Sequence, residues 1–490
     1  EFVPDAGFDD VAFVSGPDTG KRFLIENSAL GTRLYGTQIS PDGKFIILSY
    51  STMYGQDSSR YWAELQETAT GRVVNASLPY GAEWMDRGST LAYTVQTGAT
   101  WSLYSVDAAS QRVSLLAKDL PRNDFTISPD GSFLIFQNVV EGSNDNGPLL
   151  RLMDPDDRLG GHRNRCYLQK YDLKTGITQP LTYAGNNTYI NDISSDSRKM
   201  VYISYTESPD TYPFYFQDII EMDLLTLATD TLVLRDPGVK SCVYSPDARQ
   251  LFVTGSPEAF NAAGKNNGGS KYSNDFDVQG FILDIADRSV RPVTRNFAPT
   301  IEGNPVWNRA DGNIYFRASD GFDLNVYVLD PAVGAIKGIE VGIPYTTGFS
   351  IGKDESRWLS ATGGDFSYTG KGEMKDLKSG KIRVIDDPYA ADFPDTQVGE
   401  ASGWKFKASD GTVIDCMQVL PPDFDPARKY PMIVYYYGGC TPTQKFVSVY
   451  DPHLFASRGY VVLVVNPSGA YGYGQESVSY THLTLPTILR

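Results

Sequence analysis

The chain has 490 residues, more than a single hydrophobic core of roughly 250–300 residues supports, so at least two domains are expected. A formal net charge of −16 leaves no basic face for a phosphate backbone and argues against a nucleic-acid partner. No apolar run approaches the ~20 residues that span a bilayer as a helix, and Cys166, Cys242, Cys416 and Cys440 lack metal-site spacing, so neither a metal nor a cofactor is expected.

Aromatic richness (31 Tyr) together with 46 Gly and 29 Pro points to many short strands joined by tight turns. The first residue is Glu and no secretory leader pattern follows it, which carries no information about compartment. Asp18-Thr19-Gly20 reads as the tail of a repeat unit. A repeat proper begins at Ser40-Pro41-Asp42-Gly43, followed by the apolar Phe45-Ile46-Ile47-Leu48. It returns as Ser128-Pro129-Asp130-Gly131 before Phe133-Leu134-Ile135-Phe136, and as Ser245-Pro246-Asp247 before Leu251-Phe252-Val253. Weaker copies centre on Asp86, Asp196, Asp311 and Asp354, so the landmarks are spaced 44, 44, 66, 51, 64 and 43 residues apart. Pro presets φ at the first central turn position, Asp bonds the nearby backbone and Gly accepts positive φ, so each landmark reverses the chain into a strand.

A second landmark follows each Asp by 19–42 residues: an apolar strand ending in an acidic residue and a turn. It is clear at Glu67-Thr68-Ala69-Thr70-Gly71, Asp172 to Gly176 and Asp376 to Gly380, and fainter from Asp107, Asp223, Asp284 and Asp330. A period near 44 with two ordered landmarks predicts four-stranded propeller blades. Seven complete copies, with the Asp18 tail counted as part of another, give a seven- or eight-bladed β-propeller, eight being the better count.

Insertions at residues 142–165 and 257–276 interrupt the rhythm and read as solvated loops. The first holds His162 and the cluster Arg158, Arg163 and Arg165, but lacks the spaced carboxylates of a calcium loop. Gly348-Phe349-Ser350-Ile351-Gly352 matches G-x-S-x-G, yet no buried strand precedes it and no helix follows, so it reads as a turn of the repeat.

After the connector Asp387 to Asp395 the pattern changes. Trp404-Lys405-Phe406 and Val413 to Leu420 flank Ser409-Asp410-Gly411 as a hairpin. Met432-Ile433-Val434-Tyr435-Tyr436-Tyr437 is an unbroken apolar run expected to be buried on both faces, and Gly438-Gly439 ends it. A helix over Pro452 to Ser457 stops at Arg458-Gly459, and Tyr460 to Val465 forms the next strand. This strand–helix–strand order predicts parallel pairing and an α/β layer.

Pro421-Pro422-Asp423-Phe424-Asp425-Pro426, Lys429-Tyr430-Pro431, Tyr437-Gly438-Gly439-Cys440 and Gly472-Tyr473-Gly474-Gln475-Glu476 together resemble the prolyl oligopeptidase family of serine peptidases, in its dipeptidyl peptidase IV-like branch. The repeats and Phe23 to Ser28 are similar to that branch's propeller. The resemblance implies a mostly β chain: a β-propeller over 1–390, the N-terminal part of an α/β-hydrolase domain over 391–476, and a tail over 477–490 that reads as foreign to the gene. It implies hydrolysis of short peptides through a serine acyl-enzyme, with a Pro or small-residue preference, and a parent that can be a homodimer, periplasmic or secreted.

By resemblance Tyr437 is the tyrosine whose hydroxyl stabilises the oxyanion, an interaction worth about 2.7–4 kcal/mol of barrier. The family's nucleophile, Asp and His have no counterparts in the chain, and His162, His453 and His482 do not follow a Ser and an Asp in the family's order. The sequence is therefore expected to stop before the catalytic serine and to be inactive as it stands. No adjacent Glu pair occurs to hold a substrate amino terminus, which leaves dipeptidyl against oligopeptidase specificity open. The alternative is a non-catalytic β-propeller that binds or scaffolds.

Overall fold

The structure is a computed structural model describing residues 22–55, 58–142, 152, 163–208, 211, 213–269, 273–274, 276–409, 411–437, 440–442, 444–445 and 451–475. Through residue 386 the described chain is a succession of four-stranded antiparallel meanders. Five stand alone, over 31–78, 83–120, 125–180, 187–236 and 239–292. Two more, over 300–339 and 345–386, are joined by a single parallel pairing of Leu324 with Tyr345. The Asp18 landmark of the proposed extra unit lies outside the described residues, as do Arg158, His162 and the tail with His482.

The repeat turns form as their chemistry requires. Ser40 Oγ donates to Asp42 Oδ1 (2.7 Å) and accepts from the Phe45 N–H (3.0 Å). Ser128 repeats both bonds with Asp130 and Phe133, and Ser245 repeats them with Asp247 and Gln250. At the second landmark one main-chain bond recurs, from the N–H four residues on to the landmark carbonyl: Gly71 to Glu67, Gln111 to Asp107, Gly176 to Asp172, Leu227 to Asp223, Arg288 to Asp284, Gly334 to Asp330 and Gly380 to Asp376. Every one of those donors has positive φ.

The apolar runs after the turns are continuous because both faces are covered. Phe45 and Ile47 pack on Leu91 and Val106 of the second meander, whereas Ile46 and Leu48 pack with Met374 of the last. Leu134 and Phe136 face the second meander, and Phe133 and Ile135 face the fourth. The same alternation continues through Val201 and Ile203, Phe252 and Ile282, and Tyr315 and Val326. The first meander closes on the last through Thr37 Oγ1–Ser360 Oγ (2.9 Å) and the Ile39 N–H to Ser350 Oγ (2.8 Å). Ser350 thus lies in the Tyr345–Ile351 strand at the ring's inner side, so its G-x-S-x-G is strand and not the expected turn.

The remaining sheet has the order Ala401–Lys407, Val413–Val419, Val461–Asn466, Met432–Tyr436. The first two form the expected hairpin, and the last two pair in parallel with the Pro452–Ala456 helix between them. The sheet is mixed, because Val461–Asn466 also runs antiparallel to Val413–Val419. Phe322 and Phe366, from the sixth and seventh meanders, enter its core against Met417, Val419, Val462 and Val464. One expectation fails here: Met432, Val434 and Tyr436 are exposed while Ile433 and Tyr435 alternate half-buried between them. Only one face of that edge strand is covered by the described residues.

Candidate functional site

In an open α/β sheet, ligands bind beyond the carboxyl ends of the strands. Here the ends of Met432–Tyr436 and Val461–Asn466 point at the ring, and two loops leave from them. Tyr437 directly follows the first strand and is 54% exposed. Gly438 and Gly439 lie outside the described residues. The loops are tied by the Tyr471 N–H donating to the Cys440 carbonyl (2.8 Å).

The second loop is fastened to the ring. Gly472 donates its N–H to Thr300 Oγ1 (3.1 Å), and its carbonyl accepts from Gly321 N–H (3.0 Å). A side chain at Gly472 would be strained at φ +78° and would meet the Ser319 carbonyl at 2.9 Å, so this close approach needs glycine. Asn466 donates to the Tyr473 hydroxyl (2.7 Å), which donates to Asp415 (3.3 Å). Gln475 donates to the Gly264 carbonyl (2.9 Å) and accepts from Asn266 N–H (2.7 Å).

A charged cluster lies under this loop. Glu302 and Arg317 are cross-strand partners, and the Tyr471 hydroxyl bonds Glu302. Glu302 Oε1 is buried without a hydrogen-bond partner among the described residues. Burial pushes the Glu302 carboxyl up against the opposing pull of Arg317, and burial also lowers the Arg317 guanidinium. Arg317 donates to the carbonyls of Thr346 (3.0 Å) and Thr347. Burial, then the Glu302 charge, raises the Tyr345 and Tyr471 hydroxyls, so both remain protonated donors near neutrality. Reasoning from sequence missed this cluster. Its one available signal was a Glu and an Arg on consecutive strands, with nothing local to link them to the Tyr471-Gly472-Tyr473-Gly474 loop.

A second arrangement imitates nucleophile chemistry without its geometry. Ser367 Oγ lies 3.3 Å from His453 Nε2. The Asp451 carboxylate accepts from the His453 backbone N–H (2.8 Å), while the ring Nδ1 has no partner among the described residues. His453 is 1% exposed and burial lowers its imidazole to about 4, so the ring packs on Phe23 as a neutral group. A base for serine needs its second nitrogen held by a carboxylate, and no such carboxylate meets His453 Nδ1 among the described residues. Among the described residues no three His, Cys, Asp or Glu side chains are set to hold a metal, and no helix is long and apolar enough to cross a membrane.

No family model matches the chain. Among curated proteins it is similar to dipeptidyl-peptidase 5 of Porphyromonas gingivalis, 22% identical over 448 residues, which covers 90% of the chain and 53% of that enzyme. It therefore spans about half the length of this relative. Among solved structures it is similar to Pyrococcus horikoshii acylaminoacyl peptidase (TM-score 0.70, 14% identity, covering 93% of this chain and 68% of that one). It is also similar to Porphyromonas gingivalis dipeptidyl peptidase 4 (TM-score 0.53, 14% identity, covering 91% and 66%). The likeness to these structures is one of fold.

Proposed function

We propose that this chain is a seven-bladed β-propeller with the N-terminal part of an α/β-hydrolase domain, from a serine peptidase of the prolyl oligopeptidase family that hydrolyses short peptides. One observation carries the reading: the carboxyl ends of the parallel pair, with Tyr437 on one of them, face the ring. A peptide lying between ring and sheet would meet the exposed Tyr437 on the sheet side. The curated relative and the structural neighbours, all peptidases by name, support it from outside the chain.

In this reading Tyr437 donates to the oxyanion that forms when serine attacks the peptide carbonyl. The ring limits access to short chains. The serine, its histidine base and the orienting carboxylate come from further sequence of the kind the longer relatives carry, so the 490-residue chain alone is inactive.

The test uses the uninterrupted reading frame of the gene. A fluorophosphonate probe should label its product and leave the 490-residue chain unlabelled. Tyr437→Phe in the full product should lower kcat about 100-fold with KM little changed, as loss of a donor made only to the transition state requires. A full-length product that never labels would instead make the ring a binding scaffold.

A further inference from the structure

The innermost strands of the second and third meanders are unusually short. Glu83–Trp84 has 2 residues and Phe125–Ile127 has 3, against 6 to 9 in the other five. Where these two adjoin, the ring's inner wall is thin, and a cavity of about 530 Å³ opens between them. Trp84, Tyr93, Trp101 and Phe125 line it, and the indole N–H of Trp84 is already bonded to the Gln38 carbonyl (2.8 Å).

The charges lining it do not balance. Asp86 and Lys353 are engaged with each other (2.7 Å), and Asp86 also holds Arg309 (2.6 Å). With Asp354, which pairs with Arg309, those two cations and two anions cancel. Glu83 and Asp124 remain on the cavity wall, and neither side chain has a hydrogen bond or ion pair to another described residue. Asp192, also lining the cavity, accepts two backbone N–H groups (2.8 and 2.9 Å) and has no ion pair among the described residues. Both Glu83 and Asp124 remain exposed to solvent at the cavity's opening, and crowding by the walls pushes the Glu83 carboxyl upward.

We infer that this cavity is a binding site for a cationic organic group, a guanidinium or alkylammonium, held between the aromatic walls and the carboxylates of Glu83 and Asp124. Aromatic faces attract such cations, and two carboxylates without a counter-charge favour a cation over a neutral ligand of the same shape. The inference stands apart from the peptidase reading and needs no catalysis to test.

The experiment titrates the 490-residue chain with Nα-acetyl-arginine amide and with Nα-acetyl-citrulline amide, its neutral isostere, following tryptophan fluorescence and ligand NMR line widths. The arginine compound should bind at least tenfold tighter than the citrulline compound. Glu83→Gln with Asp124→Asn should erase that preference while leaving the circular dichroism spectrum unchanged, since neither carboxylate has a partner to lose. Equal affinity for the two compounds, no binding of either, or an undiminished preference in the folded double variant would each overturn the assignment.

Discussion

Arg309 reaches Asp86 across the mouth of the ring remote from the hydrolase sheet, with Nη1 2.6 Å from Oδ2 and Nη2 2.7 Å from the Asp86 carbonyl. The two residues belong to the sixth and second meanders, with two others between them around the ring. Asp354 holds the other side of the guanidinium (Nε to Oδ1 2.7 Å), Lys353 adds a bond to Asp86 (2.7 Å), and neighbouring Arg87 donates to the Ser195 carbonyl of the fourth meander (3.1 Å). The turn at 85–88 is thereby a clasp across the channel's far end.

The clasp is unequal in its parts. Arg309 and Asp86 side chains are 15% and 11% exposed, whereas Lys353 is 51% exposed. Breaking a buried pair leaves a charge uncompensated and costs about 3 kcal/mol or more, but losing a surface partner costs at most about 1 kcal/mol. Arg309→Met should accordingly lower the urea midpoint well below that of Lys353→Met. Equal midpoints for the two variants would show that the clasp does not hold the ring.

The repeating left-handed donor of the outer hairpin gives a cleaner backbone prediction. Gly380 (φ +75°) and Gly334 (φ +74°) have open space where a Cβ would stand. Alanine at either position therefore meets only conformational strain, about 1 kcal/mol. Both variants should lose stability by that amount in chemical denaturation with unchanged m-values. A neutral result would mean that the hairpin relaxes out of the left-handed region.

These hairpins also explain what could be read from the chain beforehand. The landmark turns were legible because Ser40, Asp42 and Gly43 act on one another within a few residues, and local chemistry leaves a local pattern. Faint second landmarks at Asp107, Asp223 and Asp284 have Gln111, Leu227 and Arg288 at the left-handed position, so the glycine marker is missing although the bond is made. The parallel pair after residue 430 was legible from its strand–helix–strand order. The Asp86–Arg309 clasp and the Glu302–Arg317–Tyr471 cluster were not, because partners more than a hundred residues apart leave no periodic trace. The exposed face of Met432–Tyr436 was misread for a related reason: an apolar run reports what a strand is suited to, and the described residues cover only one side of it.

That strand gives the next prediction. Among the described residues, Met432, Val434 and Tyr436 present an apolar row on the last strand of the sheet order, with no strand paired on its outer edge. The 490-residue chain should self-associate at high micromolar concentration in sedimentation velocity. Val434→Lys should suppress this while shifting the melting temperature little, because Val434 is 49% exposed. Association that persists in Val434→Lys would place the contact elsewhere.

Asp277 makes stability depend on pH through the attachment of the Tyr471–Gln475 loop. Its Oδ1 accepts from the Thr300 hydroxyl (2.6 Å) and its Oδ2 from Gln279 (3.1 Å), while Thr300 accepts from Gly472 N–H (3.1 Å). The residue is 1% exposed, and burial pushes its carboxyl up to about 6, against the opposing hydrogen bonds and the Lys240 charge. A carboxyl whose folded value exceeds the unfolded one binds its proton more tightly in the folded chain. Its stabilising share is thus complete below the ordinary value near pH 4 and is lost as pH climbs through about 6, up to roughly 3 kcal/mol. Stability measured at pH 4.5 and 7.5 should therefore fall less in Asp277→Asn than in the parent chain, whatever constant cost the amide itself carries. Parallel pH slopes for the two proteins would show that Asp277 titrates alike folded and unfolded, and that the buried link from Asp277 through Thr300 to Gly472 is insensitive to protons.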